Sequence, residues 1–469
     1  MNGRDLYGGC EWLSQLVVAI CLPTVLTAAE SEPNDAKAPE AKEGTNEKSG
    51  LWERDQLTGR WGGFRDTLSA QGIDLGFSYT AEVMGNLSGG VRSGSVYNGL
   101  ATLTLTLDTD KLTHGGWKGG TFYASSLWTH GRSATDKLLG DTLTASNIDA
   151  FDSIRMFELW VQQTLLEGKL SIRAGSLAAD SEFAGTTYGG FFLNSAFGWP
   201  AFISGNVINT GPAFYVTAPG VRVRLDLSSQ WYVQGALYDG DPFDSATGDP
   251  HITSDGLHFH LGSSQGYLSI GELGFKLNQG EKAEGLPGTY KVGGWFHSGD
   301  FADNYLDVNG ASFALSGLAP MNHSGNFGLY ASAEQMVLRE GPGPDGKPSD
   351  QGLGLFVRAG GSPRDRSAFE FVLDGGLNYK GLFPGRDEDV LGLGVVYARV
   401  SRDLRHQLSD AGTTGVDLPD HEIVVEAGYR LVLTPWFNFQ PTVQWIHHPG
   451  TSGTLPDAFM LGARSNVTF

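Results

Sequence analysis

The chain has 469 residues, of which 40% are hydrophobic, and a formal net charge of −20. This acidic balance argues against nucleic acid as a partner, because phosphate recognition needs basic patches. Beyond the N-terminus no stretch reaches the roughly 18 consecutive apolar residues that a membrane-spanning helix requires. Both cysteines, Cys10 and Cys21, lie near the N-terminus, so the rest of the chain has no thiol for catalysis or metal binding.

The N-terminal segment has the pattern of an export signal. Residues 13–26 are mostly apolar, and small residues follow up to Ala29. We predict a signal peptide over residues 1–29; a mis-annotated start codon is the alternative, because little positive charge precedes the apolar run. Residues 30–50 are rich in Glu, Lys, Pro and Ala and cannot form a core, which predicts a disordered periplasmic linker.

A short helix is predicted between this linker and the first strand. Over residues 51–71, the side chains of Trp61, Phe64 and Leu68 recur at helical spacing, and Gly72 stands where a helix would end. We expect this segment to brace or plug the periplasmic mouth of the structure that follows.

From residue 72 onward the dominant pattern has a period of two. Leu75 and Phe77 alternate with Asp74 and Ser78, as in a strand with one apolar and one polar face. Similar alternation defines candidate strands at 73–84, 101–108, 119–130, 153–165, 169–178, 218–227, 231–238, 267–278, 289–299, 325–339, 352–361, 368–379, 390–401, 420–433, 437–446 and 457–469. A chain that spans a membrane without apolar helices must close into a barrel, because hydrocarbon cannot satisfy open backbone groups.

The number of candidate strands and the lengths of the gaps favour such a barrel. The strands number about sixteen, an even number, and long gaps such as 179–217 and 300–324 tend to alternate with short turns. Two gaps break the trend, since 340–351 is long for a turn and 362–367 is short for an outer loop. We predict an all-β fold over residues 72–469, a transmembrane antiparallel β-barrel in the lipid of the bacterial outer membrane.

Aromatic residues mark the predicted periplasmic ends of the strands. Trp117, Trp231, Trp436 and the final Phe469 fall there, as in the interfacial girdles of outer-membrane barrels. The last strand alternates up to Phe469, which predicts that the barrel-assembly machinery recognises this strand. The alternative is ordinary aromatic packing in a soluble periplasmic all-β binding protein.

Several segments resemble the carbohydrate-selective porins of the OprB family. They are 57–65 (LTGRWGGFR), 157–160 (FELW), 178–183 (AADSEF), 238–242 (YDGDP), 293–299 (GGWFHSG), 384–387 (PGRD) and 440–441 (QP). The likeness extends from about residue 51 to residue 469, which makes it specific although each motif is short. Arg60 departs from the acidic residue that the family commonly carries before Trp-Gly-Gly.

The resemblance implies a sixteen-stranded barrel that passes sugars, usually glucose and related monosaccharides, across the outer membrane. No Ser/His/Asp arrangement and no pair of carboxylates has a spacing typical of catalysis, so we predict a passive channel rather than an enzyme, and no cofactor. An ion-selective or general diffusion porin is the alternative, and the oligomeric state, monomer or trimer, stays open.

A sugar that crosses a pore exchanges water hydrogen bonds for protein ones, so polar side chains and aromatic faces along a narrow wall are the expected selectors. The gap 179–217 is predicted to fold into the lumen as a constriction loop because it is rich in such residues. They are Asp180, Glu182, Tyr188, Phe191, Phe192, Asn194, Phe197, Trp199, Asn206 and Asn209.

On each strand, side chains that alternate with the apolar ones are predicted to face the pore. An Arg or Lys side chain on the lipid face at the membrane midplane would instead cost about 2–4 kcal/mol. The predicted pore-wall residues are Glu158, Trp160, Arg173, Arg222, Arg224, Asp226, Lys291, Trp295, His297, Glu334 and Arg358. For each, a solvated ion-pair ladder without a role in selection is the alternative. Arg155 and Glu158 have opposite parity on one strand, which predicts a rim position or a bulge.

No metal site is predicted. His258 and His260 could point the same way on an extended segment, but no third ligand has suitable spacing. His447 and His448 precede Pro449 and are interpreted as loop residues.

Overall fold

The computed structural model describes residues 50–245, 247–257, 265–279, 285–341, 348–412 and 418–469. The predicted signal peptide, nearly all of the predicted linker, and the pair His258 and His260 lie outside these ranges. Among the described residues no helix is both long enough and apolar enough to cross a lipid bilayer.

The described residues form sixteen strands in one closed antiparallel sheet. Each strand pairs with its neighbours in sequence, and the first strand pairs with the last. The strands are β1 (Ile73–Ser88), β2 (Gly94–Asp108), β3 (Gly120–Gly131), β4 (Ser153–Leu165), β5 (Leu170–Leu177), β6 (Ala218–Asp226), β7 (Trp231–Asp239), β8 (Tyr267–Leu277), β9 (Gly288–Asp307), β10 (Pro320–Arg339), β11 (Gly352–Gly361), β12 (Phe369–Lys380), β13 (Val390–Val400), β14 (His421–Thr434), β15 (Phe437–His447) and β16 (Ala458–Thr468). The predicted barrel and its strand number are confirmed.

Two hairpins extend further than predicted. β9 runs to Asp307 and β10 starts at Pro320, so most of the gap predicted at 300–324 is strand. β1 and β2 likewise continue until only 89–93 separates them. Apolar and polar residues do not alternate clearly in these outer segments, so the sequence pattern there indicates a loop.

The two faces of the sheet have the polarity expected in lipid. Leu103 is 54% exposed and Leu329 is 70% exposed on the outer face, whereas Glu272, Arg358 and Glu426 are buried in the barrel interior. Apolar residues outside and charged residues inside are the reverse of a soluble protein and fit a barrel surrounded by hydrocarbon.

The helices are short. They are α1 (Phe64–Ala70), α2 (Thr109–Leu112), α3 (Ala201–Ser204), α4 (Phe313–Ser316) and α5 (Arg402–Asp410). Single turns of 3-10 or π type lie at Leu51–Glu53, Trp61–Gly63, Thr135–Leu139, Leu166–Gly168, Gly189–Phe191, Ser195–Phe197, Ile208–Thr210, Pro250–Thr253 and Pro449–Thr451. The helix predicted over 51–71 is therefore only α1, because Gly62 and Gly63 have positive φ and interrupt the regular helix.

The N-terminal segment lies on the periplasmic rim beside β1 and β16. The Leu57 N–H donates to the Thr468 carbonyl (2.8 Å), and Arg65 Nη2 donates to the Phe469 carbonyl (3.0 Å). Trp436 Nε1 donates to the Leu51 carbonyl (2.9 Å). These contacts agree with the prediction that the segment braces the mouth.

Two connections at the opposite end fold into the barrel. We call residues 132–152 loop L2 and residues 178–217 loop L3. The rings of Phe183, Phe197 and Trp199 in L3 are almost completely buried among inward-facing strand residues. The predicted inward fold of this long gap is confirmed, and the core of the protein is the packing of L2 and L3 against the inner wall.

Candidate functional site

Polar side chains of the wall hold the backbone of L3. Glu334 on β10 accepts the Thr187 N–H through Oε2 (2.6 Å) and the Thr187 hydroxyl through Oε1 (3.2 Å). Lys291 on the neighbouring β9 donates to the Gly185 carbonyl (2.9 Å). Both residues were predicted on the pore wall, and both face inward, but they bind the loop.

Arg358 on β11 is the most extensively bonded of these anchors. Nε donates to Asp374 on β12 (2.9 Å), and both side chains are completely buried. The two Nη groups donate at 2.6–2.9 Å to four L3 carbonyl oxygens, those of Ala184, Ala196, Phe197 and Gly198. A guanidinium has five N–H donors, so none is left for a solute. The prediction that Arg358 lines the pore needs correction, because L3 covers it.

Glu426 on β14 is an anchor that the sequence analysis did not identify. Its two carboxylate oxygens accept the N–H groups of Leu193 (2.7 Å) and Asn194 (2.9 Å). Gln440 on β15 donates to the Phe191 carbonyl (2.8 Å) a short distance away. L3 is thus attached along the wall from β9 to β15.

Glycines on the inner wall make room for the rings of L3. A Cβ at Gly354 would overlap the Tyr188 ring, and a Cβ at Gly392 would overlap the Phe191 ring. These glycines explain how an aromatic loop fits inside the barrel.

L2 is clamped beside L3 at the outer mouth. Glu422 on β14 accepts the N–H groups of Leu143 in L2 (2.8 Å) and of Gly450 between β15 and β16 (2.6 Å). The Asn147 N–H of L2 donates to the Leu193 carbonyl of L3 (2.6 Å). The two loops therefore support each other as well as contacting the wall.

The wall from β3 to β6 and the start of L3 together carry a different arrangement, a group of polar and aromatic side chains that we call the pore patch. Its members are Tyr123, Glu158, Trp160, Gln162, Arg173, Asp180, Glu182 and Arg222.

The charged centre of the pore patch follows from strand register. Gln162, Arg173 and Arg222 are direct cross-strand partners on β4, β5 and β6. Glu182 at the start of L3 pairs with both arginines, at 3.1 Å for Arg222, and Gln162 Oε1 accepts from Arg173 Nε and Arg222 Nη2 at 3.1 Å each. Two guanidiniums thus share one carboxylate inside the lumen.

Aromatic rings extend this centre along the wall. The guanidinium carbon of Arg173 lies 3.9 Å from the Trp160 ring centroid, and the Tyr123 ring stacks on Trp160 at 4.9 Å with an interplanar angle of 21°. Trp160, Tyr123 and Arg173 are each only partly buried. The stack presents flat, polarisable surfaces beside hydrogen-bonding groups.

A bulge resolves the conflicting parity on β4. Between two successive register pairs β4 has one more residue than β3, and Ser125 Oγ opposite the bulge accepts the Glu158 N–H (3.1 Å). Arg155 before the bulge is buried and donates to the Thr253 carbonyl (2.7 Å). The predicted bulge is confirmed, and it places Arg155, which precedes the bulge, on the same inner face as Trp160, which follows it.

The two L3 acids of the pore patch have opposite pKa shifts. Burial alone would raise the pKa of Glu182, but the guanidiniums of Arg173 and Arg222 outweigh it and hold that pKa below its usual value. Burial raises the pKa of Asp180 to about 7, although its carboxylate accepts the Phe214 N–H (3.0 Å). Near neutral pH, Glu182 is therefore ionised while Asp180 titrates.

The remaining predicted wall residues lie apart from the pore patch. Arg224 pairs with Asp226 (3.2 Å), and its guanidinium lies 4.0 Å from the Tyr232 ring centroid, nearer the periplasmic end of β6. His297 is completely buried: Nε2 donates to the Gly240 carbonyl (2.7 Å) and Nδ1 accepts the Gly299 N–H (3.0 Å).

Trp295 is buried in the main hydrophobic cluster. His297 and Trp295 face inward, as their parity predicts, but their contacts are with the protein.

Sequence reasoning missed several inward polar residues. They are Tyr123, Glu272, Asp374, Asn378, Glu426 and Gln440. Parity identifies Glu272 and Glu426, since each alternates with apolar neighbours. Their role as loop anchors could not be predicted from the sequence. Their partners are backbone N–H groups of L3, which nearly every residue type provides.

Comparisons with known proteins agree with this architecture. The model of the carbohydrate-selective porin, OprB family, matches residues 92–469. The chain is 26% identical over 436 residues to Porin B of Pseudomonas aeruginosa, and the alignment covers 88% of this chain and 91% of that protein. It is 22% identical over 441 residues to the putative porin QuiX of Acinetobacter baylyi, covering 89% and 94%. A high-pH structure of Pseudomonas putida OprB has a TM-score of 0.80 at 24% identity, over 90% of this chain and 100% of that one.

Proposed function

This chain belongs to the family of carbohydrate-selective porins, and from that premise we propose the route that a sugar takes through it. It is a sugar-selective porin of the bacterial outer membrane, a barrel of sixteen strands with its apolar face in lipid. We propose that neutral monosaccharides, glucose among them, diffuse passively along the pore patch without any covalent step. Recognition of β16 by the assembly machinery stays a prediction.

The observation that carries the proposal is the stack of Tyr123, Trp160 and Arg173 next to Gln162 and Glu182. A pyranose has one face of C–H groups and a rim of hydroxyls. The flat stack suits the apolar face, while the partly exposed Arg173 suits the hydroxyls. Gln162 and Glu182 are buried and hold Arg173 in place. Each contact is modest, so a sugar can bind and leave, as conduction requires.

Loop L3 supports the same proposal by narrowing the lumen on the facing side. Its anchors fill the wall from β9 to β15, and its first residues carry Asp180 and Glu182 to the patch. A solute is thereby directed along β3 to β5, where Tyr123, Trp160 and Arg173 are partly exposed.

Replacing Trp160 with alanine tests the aromatic contribution. We expect glucose to block the ion current of the variant about tenfold more weakly. Stacking of a nucleobase on an aromatic side chain is worth about 1–3 kcal/mol, and a tenfold loss corresponds to the lower part of that range. The measurement is titration of single-channel current in planar bilayers with glucose and with maltose.

Trp128→Ala is the matched control, since Trp128 lies on the outer face of β3 and is 51% exposed there. We expect its glucose block to equal that of the unaltered protein. A Trp160→Ala pore with unchanged glucose block would contradict the proposed route, and a pore that glucose never blocks would favour an ion-selective porin.

The pH dependence of ion selectivity tests whether Asp180 lies on the route. Because its pKa is about 7, Asp180 is ionised at pH 8 and protonated at pH 6. Loss of this negative charge should shift the reversal potential in a KCl gradient toward anion selectivity as the pH falls through 7. In Asp180→Asn the shift should be absent; a shift that persists unchanged assigns it to another group.

A further inference from the structure

Three histidines meet on the outer rim of the barrel. His421 begins β14, His447 ends β15, and His448 follows it. Each offers one ring nitrogen, and these nitrogens lie within 4.8 Å of one another. Pairing of β14 with β15, in which Ile423 lies opposite His447, places His421 beside the other two. The interpretation of His447 as a loop residue is wrong, because β15 includes it, and strand pairing brings His421 to the pair from another strand.

Carboxylates orient two of the three rings. His421 Nδ1 lies 2.7 Å from Asp420 Oδ1, and His447 Nδ1 lies 2.8 Å from Asp457 Oδ2. Ionised carboxylates only accept, so the proton of each neutral imidazole sits on Nδ1 and the Nε2 lone pair is available. Metal-binding histidines are commonly held this way, by a carboxylate on the ring nitrogen that does not bind the metal.

The backbone at His448 turns the third ring toward the other two. Adjacent residues of a strand project to opposite faces, but His448 has φ +56° and ψ +56°, the left-handed conformation. Its ring centroid lies 3.7 Å from that of His447. His448 Nδ1 is buried and has no hydrogen-bond partner among the residues that the structure describes. Strained non-glycine backbone of this kind clusters at functional sites.

We propose that His421, His447 and His448 bind one divalent transition-metal ion of the zinc class. Three imidazoles favour zinc, nickel or copper over calcium or magnesium, which prefer oxygen. Nitrogens around tetrahedral zinc, at about 2.0–2.1 Å from the metal, lie roughly 3.4 Å apart, so the ring nitrogens need to approach one another by at most about 1.4 Å. The fourth position is open to water. The ion would tie the outer end of β14 to the connection between β15 and β16.

A second group of possible ligands is less suited to such an ion. Asp303, His323 and Asp365 also approach one another. Asp303 already accepts two backbone N–H groups, Asp365 pairs with Arg366, and only one imidazole is present. His323 therefore provides a control histidine on the same outer side of the barrel.

The test uses the detergent-solubilised, untagged protein with Co²⁺ as a spectroscopic probe and Zn²⁺ as a competitor. We expect one equivalent of Co²⁺ to give visible d–d absorption that Zn²⁺ abolishes. His421→Gln and His447→Gln should each lose this absorption, and Asp457→Asn should bind Zn²⁺ about 10–100-fold more weakly. Heat-modified mobility on gels checks that each variant still forms the barrel.

His323→Gln should keep the full absorption and the full affinity for Zn²⁺. The proposal is overturned if the unaltered protein gives no d–d absorption at one equivalent. It is also overturned if folded His447→Gln binds Co²⁺ as the unaltered protein does, which would mean adventitious binding elsewhere. Loss of the absorption in His323→Gln instead would assign the metal to the second group.

Discussion

Replacing Arg358 with methionine is expected to release loop L3 and to lower the free energy of unfolding by about 3–5 kcal/mol, the usual effect of breaking a buried ion pair. The change leaves Asp374 buried without its partner and removes the donors to four L3 carbonyl groups. With L3 free, the lumen should widen. We expect a several-fold higher single-channel conductance and loss of discrimination between glucose and maltose, measured in planar bilayers, with stability followed by denaturant unfolding.

Two further variants separate anchoring from simple destabilisation. Lys380→Met removes a basic wall residue that pairs with Asp350 and Glu388 near the periplasmic end, and its conductance should equal that of the unaltered protein. Arg358→Met with Asp374→Leu removes both charges, so stability should largely recover while the conductance stays high. An Arg358→Met pore with ordinary conductance and sugar discrimination would show that L3 does not depend on this anchor.

Replacing Glu182 with glutamine is expected to convert the pore patch into a site for anions. Glu182 is the carboxylate shared by Arg173 and Arg222, and its ionised form is favoured by both. Without it, the positive charges of Arg173, which is partly exposed, and of Arg222, which is buried beside it, are uncompensated. The chloride-to-potassium permeability ratio should rise several-fold, measured as the reversal potential in a KCl gradient, and the effect should weaken at high salt because of screening.

Glu167→Gln is the matched control, because it removes the same charge from an exposed periplasmic turn between β4 and β5. We expect its permeability ratio to stay unchanged at physiological ionic strength. If both variants shift the ratio equally, the charge acts through the overall field of the protein, and the pore patch does not control selectivity.

The inward direction of a side chain could be predicted from the sequence, but its accessibility could not. Arg358 and Arg173 satisfy the same parity rule, and both point into the barrel. L3 covers Arg358 completely, whereas Arg173 stays partly exposed against Trp160. This difference in exposure depends on which wall residues lie beside carbonyl groups of L3. Every residue has a backbone carbonyl group, so the sequence does not indicate which ones make these contacts.

The sequence by itself determined the barrel, because a period of two separates a lipid face from an inner face along the central part of the strands. It also determined the inward fold of the gap 179–217, because the aromatic residues there need a place away from water. Only the tertiary structure decided where the pore and the metal ligands lie. Strand register sets Gln162, Arg173 and Arg222 in one row, and pairing of β14 with β15 brings His421 to His447. Both depend on the register between paired strands, which no local pattern encodes.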